Sequence, residues 1–378
     1  MRIGIDLHMV NDFMQGSRTY TYNVTRALLE IDAVNDYYLY FTSRPQWLPG
    51  RFQQPNVHIR RIAPAHRLIR LPISFPLKLA ADRIDVFHCQ YMAPPMMRTP
   101  YVITLHDIIH ETCPQYYPKI LRFFMSLCYP YSARRAAKVL TVSAYSKGEI
   151  QKRYRIADDK LVISYDAASD EFRPLTDLDR IAAVKRAYRI ESKYILFVGR
   201  LEPRKNIPGL IRAFGRVRPF LPERLQLVVA GMKDFMYEEL FALAERLNLA
   251  GDIVFTGRVA QKDLPLLYNG AELFVYPSFA EGFGIPPLEA MACGVPVISA
   301  NTTSLPEVVG TAGIMVAPGD IDGLGAAILN VLRDEELRQR MRSSGLLQAE
   351  KFNWRQTARV VLETYHGVYR SHPRRGQP

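Results

Sequence analysis

Twenty-two residues, Ser278 to Ser299, constrain this chain more than any other stretch: SFAEGFGIPPLEAMACGVPVIS. Glu281 and Glu289 stand eight positions apart, with Gly282, Phe283, Gly284 and the pair Pro286–Pro287 between them. Glycine lets a backbone turn tightly without a side-chain clash. Proline is tolerated in a first helical turn, where its missing N–H would have had no partner. The spacing therefore predicts a helix starting near Ile285. Glu281 then lies on the loop before it and Glu289 about one turn inside. The helix runs through small residues to Gly294, and VPVIS reads as a buried strand. The amides of Phe283, Gly284, Ile285 and Leu288 crowd one helix N-terminus, which carries partial positive charge and attracts phosphate-like groups. Two carboxylates flanking such a site suit a ligand with both hydroxyls and phosphates. The plainer reading is a capped helix whose acids complement its dipole, and capping alone favours it.

A chain of 378 residues is too long for one typical core and predicts two domains. At 48% hydrophobic and 23% charged residues it is a globular chain, not a disordered one. No run approaches the ~20 apolar residues of a membrane span. The opening MRIGIDLHMVND turns polar too early for a secretory signal and reads as a first strand. Cys89, Cys113, Cys128 and Cys293 lack metal-ligand spacing and fit reduced, cytoplasmic residues. The net charge of +12 admits two kinds of partner, nucleic acid or an anionic membrane or polyanionic substrate. No zinc finger, RNP sequence or basic heptad region supports nucleic acid. A plain excess of solvated arginines is the third reading.

Residues 2–10 read as a strand, followed by the loop NDFMQGSR and an amphipathic helix from Ser17 to Glu30. This is a phosphate-binding βα pattern without the G-x-G-x-x-G fingerprint. Strand runs follow at 37–42, 57–62, 85–90, 101–107, 138–143 and 160–164, alternating with helices such as 74–83, 119–136 and 144–153. Such alternation predicts an open parallel sheet covered on both faces, with ligands beyond the strand C-termini. His106 falls at such an end, although a lone histidine is usually just hydrogen-bonded in a loop. Ser143 should cap the helix that follows it. The polar stretch 170–180 reads as an interdomain linker. It contains Asp177-Leu-Asp179, and a second D-x-D lies at Asp320–Asp322; both read as turns or caps, not a metal site. The α/β pattern then restarts: strands at 194–200, 225–231, 252–257, 271–278 and 312–320, with helices from Pro208 and over 234–247 and 261–269. Three helices close the chain, the last, 354–372, amphipathic, and PRRGQP is expected to be disordered.

The string E-G-F-G-x-P-x-x-E followed by A-M-A-C-G-x-P-V resembles the E-x7-E signature of retaining glycosyltransferases of family 4. V-I-T-L-H-D at 102–107, T-V-S-A-Y-S-K-G-E-I at 141–150 and F-V-G-R-L-E-P-R-K-N at 197–206 resemble further motifs of that family, in the same order. The resemblance spans essentially the whole chain. It implies an α/β GT-B fold, two Rossmann-like domains facing each other across a cleft. The expected division is an acceptor-binding domain over 1–172, a nucleotide-sugar-binding domain over 173–355, and a C-terminal helix, 356–378, crossing back onto the first. It further implies roles by position. Arg200 and Lys205 would hold the donor diphosphate, His106 would face the donor sugar, and Glu281 would bind hydroxyls of the transferred hexose. Glu289 would take the ribose hydroxyls, with Phe283, Gly284, Ile285 and Leu288 at the helix start. Gly16, where the family often has a glycine pair, would lie by the donor diphosphate, and Val259 near the base. No metal or cofactor beyond the sugar nucleotide is expected.

The expected activity is transfer of a hexose with retention from a sugar nucleotide to a saccharide or lipid-linked saccharide in surface polysaccharide synthesis. P-P-L-E-A-M-A-C and S-L-P-E-V-V-G resemble O-antigen and exopolysaccharide mannosyltransferases, which points to GDP-mannose; a UDP-hexose donor is the alternative. Other readings are a sugar phosphorylase, an epimerase, a non-catalytic nucleotide-sugar-binding scaffold, or a two-domain solute-binding protein, which would need an export signal. Residues 60–78 and 116–138 mix basic with aromatic or aliphatic side chains, so they fit either a core helix with basic flanks or peripheral attachment to an anionic inner leaflet.

Overall fold

Among the described residues, runs rich in Val, Ile, Leu, Tyr and Phe make thirteen strands in two all-parallel sheets, the central ones buried on both faces. The computed structural model describes residues 1–11, 16–43, 52–221, 224–232 and 237–372. The first sheet contains β1 (Arg2–Asp6), β2 (Asp36–Phe41), β3 (Val57–Arg61), β4 (Val86–Gln90), β5 (Tyr101–Thr104), β6 (Lys138–Thr141) and β7 (Leu161–Ile163). Their order is β3-β2-β1-β4-β5-β6-β7. The second contains β8 (Lys193–Val198), β9 (Leu225–Ala230), β10 (Ile253–Gly257), β11 (Leu273–Tyr276), β12 (Val297–Ala300) and β13 (Ile314–Val316), in the order β10-β9-β8-β11-β12-β13. Each is a Rossmann-like doubly wound sheet. The strand order reverses beside β1 in one and beside β8 in the other, and ligands bind at such switch points, beyond the strand C-termini.

The chain divides into two units, one of Met1–Asp166 with the segment from Asn353 onward, the other of Ala167–Phe352. The boundaries differ from those expected at 172 and 355 for a physical reason. The stretch taken as a linker is fastened to the second unit. Phe172 packs edge-on against Tyr268, the Leu175 amide donates to Asn269 Oδ1 at 2.7 Å, and Asp177 caps the helix Leu178–Ala187. At the other boundary Asn353 caps the last helix, Trp354–Ser371, by accepting from the Gln356 amide at 2.8 Å. Trp354, Ala358, Val361, Tyr365 and Val368 form its buried stripe, at alternating spacings of four and three. Tyr365 anchors it: the hydroxyl lies 2.6 Å from His88 Nδ1, and His88 Nε2 lies 2.7 Å from Thr104 Oγ1. The tail 373–378 lies outside the described residues.

Local chemistry shortens the first strand from its expected end at residue 10. The Asp6 carboxylate accepts from the His8 backbone N–H at 3.0 Å and meets His8 Nδ1 at 2.8 Å, turning the chain into the 3-10 turn His8–Asn11. The expected helix 74–83 is part of a longer one. It starts at Arg67, widens to a π turn over Arg70–Ser74 around Pro72, which has no N–H to give, and ends at Ala81. Both D-x-D runs cap helices: Asp177 accepts from the Arg180 amide at 3.0 Å and Asp320 from the Gly323 amide at 2.7 Å. Ser143 caps Ala144–Tyr154 as expected. No helix among the described residues is long and apolar enough to cross a membrane.

Candidate active site

In the second unit, the loops leaving β8 and β11 meet at the switch point. β8 runs into Gly199, whose amide bonds Ala230 O at 2.9 Å. A Cβ on Gly231 would stand 1.8 Å from Gly199 O, so only glycine lets these two strand ends approach so closely. Arg200 follows, exposed. The short turn Pro203–Lys205 and Asn206, at φ 54°, then lead into the helix Ile207–Val217.

Lys205 is 6% exposed and points back at β11, where Nζ donates to Tyr276 OH and Glu281 Oε1, both at 2.7 Å. Arg204 grips the other carboxylate oxygen, Glu281 Oε2, at 2.9 Å, and also bonds Ala280 O and Glu202. Burial opposes ionisation of Glu281, but the Arg204 and Lys205 charges outweigh it and hold the carboxyl at about 2. Burial and then the Arg204 charge push Lys205 below the ordinary lysine range, against the pull of Glu281. The predicted sugar-binding acid and the predicted diphosphate-binding lysine are thus partners in one ion pair. Arg204 completes it, although the sequence reading assigned it no role. Two hydroxyls fix the loop: Thr303 Oγ1 accepts from the Glu281 amide at 2.9 Å. Ser304 Oγ lies 2.7 Å from Phe283 O and 3.0 Å from Glu281 O.

The helix Ile285–Ala292 begins where expected, with Gly284 as N-cap at φ 116°. Pro286 and Pro287 occupy its second and third positions, so Gly284 and Ile285 supply the backbone donors of the terminus itself. Leu288 is a correction. It is the fourth helical residue, where the amide turns to the N-cap carbonyl, and its side chain is fully buried. Glu289 lies inside the helix and is buried. Tyr268 OH donates to its Oε2 at 2.9 Å. Burial lifts Glu289 to about 8, with the Tyr268 hydrogen bond pulling the other way. Two carboxyls of one segment are therefore tuned in opposite directions, one held ionised by cations and one held protonated by burial. Val259 is buried just beyond β10.

The first unit holds the other two predicted residues. Gly16 is the exposed first residue of the helix Gly16–Ile31. His106 is buried beyond β5, its Nε2 2.9 Å from Gln90 Oε1, its ring edge-on to Tyr20 and tilted against Tyr91. Burial drives it down to about 3, so it is a neutral imidazole. Gln90 and Tyr91 also line a cavity of about 300 Å³ at the C-terminal ends of β1 and β4, the switch point of this sheet.

Comparison with known proteins gives this geometry a family. The model described as "Glycosyltransferase Family 4" matches residues 14–168, and "Glycosyl transferases group 1" matches residues 182–347. The O-antigen chain mannosyltransferase B of Escherichia coli is 39% identical over 264 residues, 70% of this chain and 69% of that one. The serotype-specific mannosyltransferase WbdA of Escherichia coli is 33% identical over 71% of this chain, which spans about a third (34%) of its length. Among solved structures, sucrose-phosphate synthase from Thermosynechococcus elongatus superposes with a TM-score of 0.79 at 20% identity, covering 98% of this chain and 99% of that one. Anabaena HepE, solved with UDP and glucose, gives 0.76 at 20% identity, covering 97% and 100%. Strand order, switch-point constellation and family matches agree: the chain belongs to the group 1 and family 4 glycosyltransferases and has their GT-B fold.

Proposed function

We propose that this glycosyltransferase moves mannose from GDP-mannose to a saccharide or lipid-linked saccharide in surface polysaccharide synthesis, with retention of configuration and no metal or other cofactor. The observation that carries the reading is the buried Arg204–Glu281–Lys205 cluster at the second switch point. Breaking a glycosyl–phosphate bond leaves negative charge on the departing diphosphate. Preorganised cations in a desolvated site answer that charge, and removing one such group slows a reaction by roughly 10²–10³-fold. Arg200 and the Gly284–Ile285 amides add to that cradle. Glu281, kept ionised, meets the hexose hydroxyls and faces an oxocarbenium-like centre. Glu289 takes the ribose hydroxyls, and His106, as a neutral imidazole, contacts the sugar. The leaving phosphate oxygen takes the acceptor proton on the same face of the sugar. Use of both D-x-D runs as helix caps supports protein cations, not a metal, as the charge carriers.

The mannosyl donor is inferred from the O-antigen mannosyltransferases among the relatives. Acceptor binding falls to the first unit, docked peripherally on the anionic inner leaflet from the cytoplasm. Exposed Leu68, Ile73, Ile120, Phe123 and Phe124 interleaved with Arg67, Lys119 and Arg122 support that attachment. A thermal-shift panel of sugar nucleotides tests the donor. A ligand at a hundred times its Kd stabilises by about 2.7 kcal/mol, and GDP-mannose should give the largest shift. A larger shift with a UDP-hexose overturns the donor assignment, and a β-configured product from the α-linked donor overturns retention.

A further inference from the structure

The cavity at the first unit's switch point is lined by a buried cation short of hydrogen bonds. Arg70 lines it, is 8% exposed, and its Nε has no hydrogen-bond partner. Among the described residues its one hydrogen bond, from Nη1 to Ala65 O, is stretched to 3.5 Å. Buried guanidinium groups are normally satisfied, and a planar fork of donors matches phosphate. Asp6 is close enough for the Arg70 charge to help lower its carboxyl, but neither nearby carboxylate accepts a hydrogen bond from the guanidinium. Asp6 takes the His8 amide and faces His8 Nδ1, and Asp107 takes the Ile109 amide at 3.0 Å.

We propose that this cavity is the acceptor's oxyanion subsite, in which Arg70 grips the phosphate or diphosphate of a lipid-linked saccharide. The proposal rests on the reading of the first unit as the acceptor side. Asp107, Gln90 and Ser17, also in the lining, supply the polar atoms that sugar hydroxyls need, and their carboxylate and carbonyl oxygens confine the anion to the guanidinium edge. The lipid comes from the helices that build the walls. Arg70 and Leu71 line the cavity, while Leu68, 71% exposed, and Ile73 on the same segment face outward. Met125 and Tyr129 line it too, while Phe123, 63% exposed, and Leu127 on their helix face outward. Residues 65–81 and 119–135 contain arginines and lysines but not one aspartate or glutamate. A face that is apolar and purely cationic complements an anionic bilayer. A soluble sugar phosphate would need no such surroundings.

The test uses the full chain, its donor site saturated with GDP or UDP, whichever the donor panel selects. Farnesyl diphosphate, inorganic pyrophosphate and glucuronate are titrated calorimetrically into wild type, Arg70→Gln and Arg70→Lys. Farnesyl diphosphate should bind more tightly than pyrophosphate, and Arg70→Gln should weaken it roughly 10- to 100-fold. Arg70→Lys should lose less, and both variants should keep the wild-type affinity for the nucleotide. Hydrogen exchange on the wild type, independent of any variant's folding, should show farnesyl diphosphate protecting residues 67–75. Equal affinity in wild type and Arg70→Gln, or protection elsewhere, overturns the subsite. Glucuronate binding as tightly as farnesyl diphosphate through Arg70 overturns the lipid assignment in favour of an acidic sugar. A wild type that binds neither GDP nor UDP overturns instead the functional reading beneath the proposal.

Discussion

Glu289→Gln should make the ligand-free protein more stable in mildly alkaline solution, although it alters a residue proposed to bind the ribose. Glu289 is 8% exposed, and burial raises its carboxyl from 4.5 to about 8. A carboxyl raised on folding binds its proton more tightly in the native state than in the unfolded chain. Its full contribution is therefore present below 4.5 and is lost as pH rises to about 8. Each pH unit in that window removes about 1.4 kcal/mol, or roughly 4–5 kcal/mol across it. Glutamine has the same shape, still accepts from Tyr268, and cannot ionise. The assay is urea unfolding of wild type and variant at pH 5 and pH 8.5, following the transition of the second unit. The wild type should lose stability between the two, and the variant should lose several kcal/mol less. Parallel profiles would refute the argument that burial controls this carboxyl. A second readout joins it to function. If ribose hydroxyls donate to the Glu289 carboxylate, nucleotide binding at pH 7 must release a proton. The binding enthalpy will then depend on the buffer's ionisation heat, and in Glu289→Gln that dependence will vanish.

Lys205→Met removes one of two cations from the Glu281 pair, so kcat should fall roughly 10²–10³-fold and stability by about 3 kcal/mol; a kcat within threefold of wild type excludes the assigned role. Gly231→Ala drives a methyl into Gly199 O and should destabilise the second unit by about 3 kcal/mol in denaturant unfolding, with binding at the proposed nucleotide site lost alongside. The acid limb should mirror the alkaline one. Burial holds His106 near 3 against 6.5 when free, so its contribution is complete above 6.5 and is lost as pH falls towards 3. Unfolding of wild type and His106→Asn at pH 7 and pH 5 should show the variant's stability falling less.

The E-x7-E segment was legible because its determinants are local. Glycine and proline positions fix where the helix begins, and the structure starts it at Ile285. The same is true of caps such as Ser143, Asp177 and Asp320, which act on amides three residues away. The two sheets were legible as alternation of buried runs with amphipathic helices. What the sequence hid was non-local. Glu281 and Lys205 are 76 positions apart and meet because the winding of the second sheet brings the ends of β8 and β11 side by side. The resemblance singled out Arg200 and not Arg204, yet in the fold it is Arg204 that reaches Glu281, while Arg200 is exposed. Tyr268 and Tyr276 are buried core aromatics, but each also directs a hydroxyl to a candidate site residue, Glu289 or Lys205. The opposite tuning of the two glutamates was equally invisible, since burial and partner charge are properties of the fold.

The last helix carries a consequence for how the molecule comes into being. Trp354 to Ser371 complete the first unit, whereas everything from Ala167 to Phe352 belongs to the other. On the ribosome, the second unit is therefore a contiguous stretch that can finish before its neighbour. The half made first waits for its final helix, with the pocket around His88 open until Tyr365 emerges. A nonsense codon near residue 350 should spare the second unit's own sheet and leave the earlier-made half exposed to chaperones and proteases.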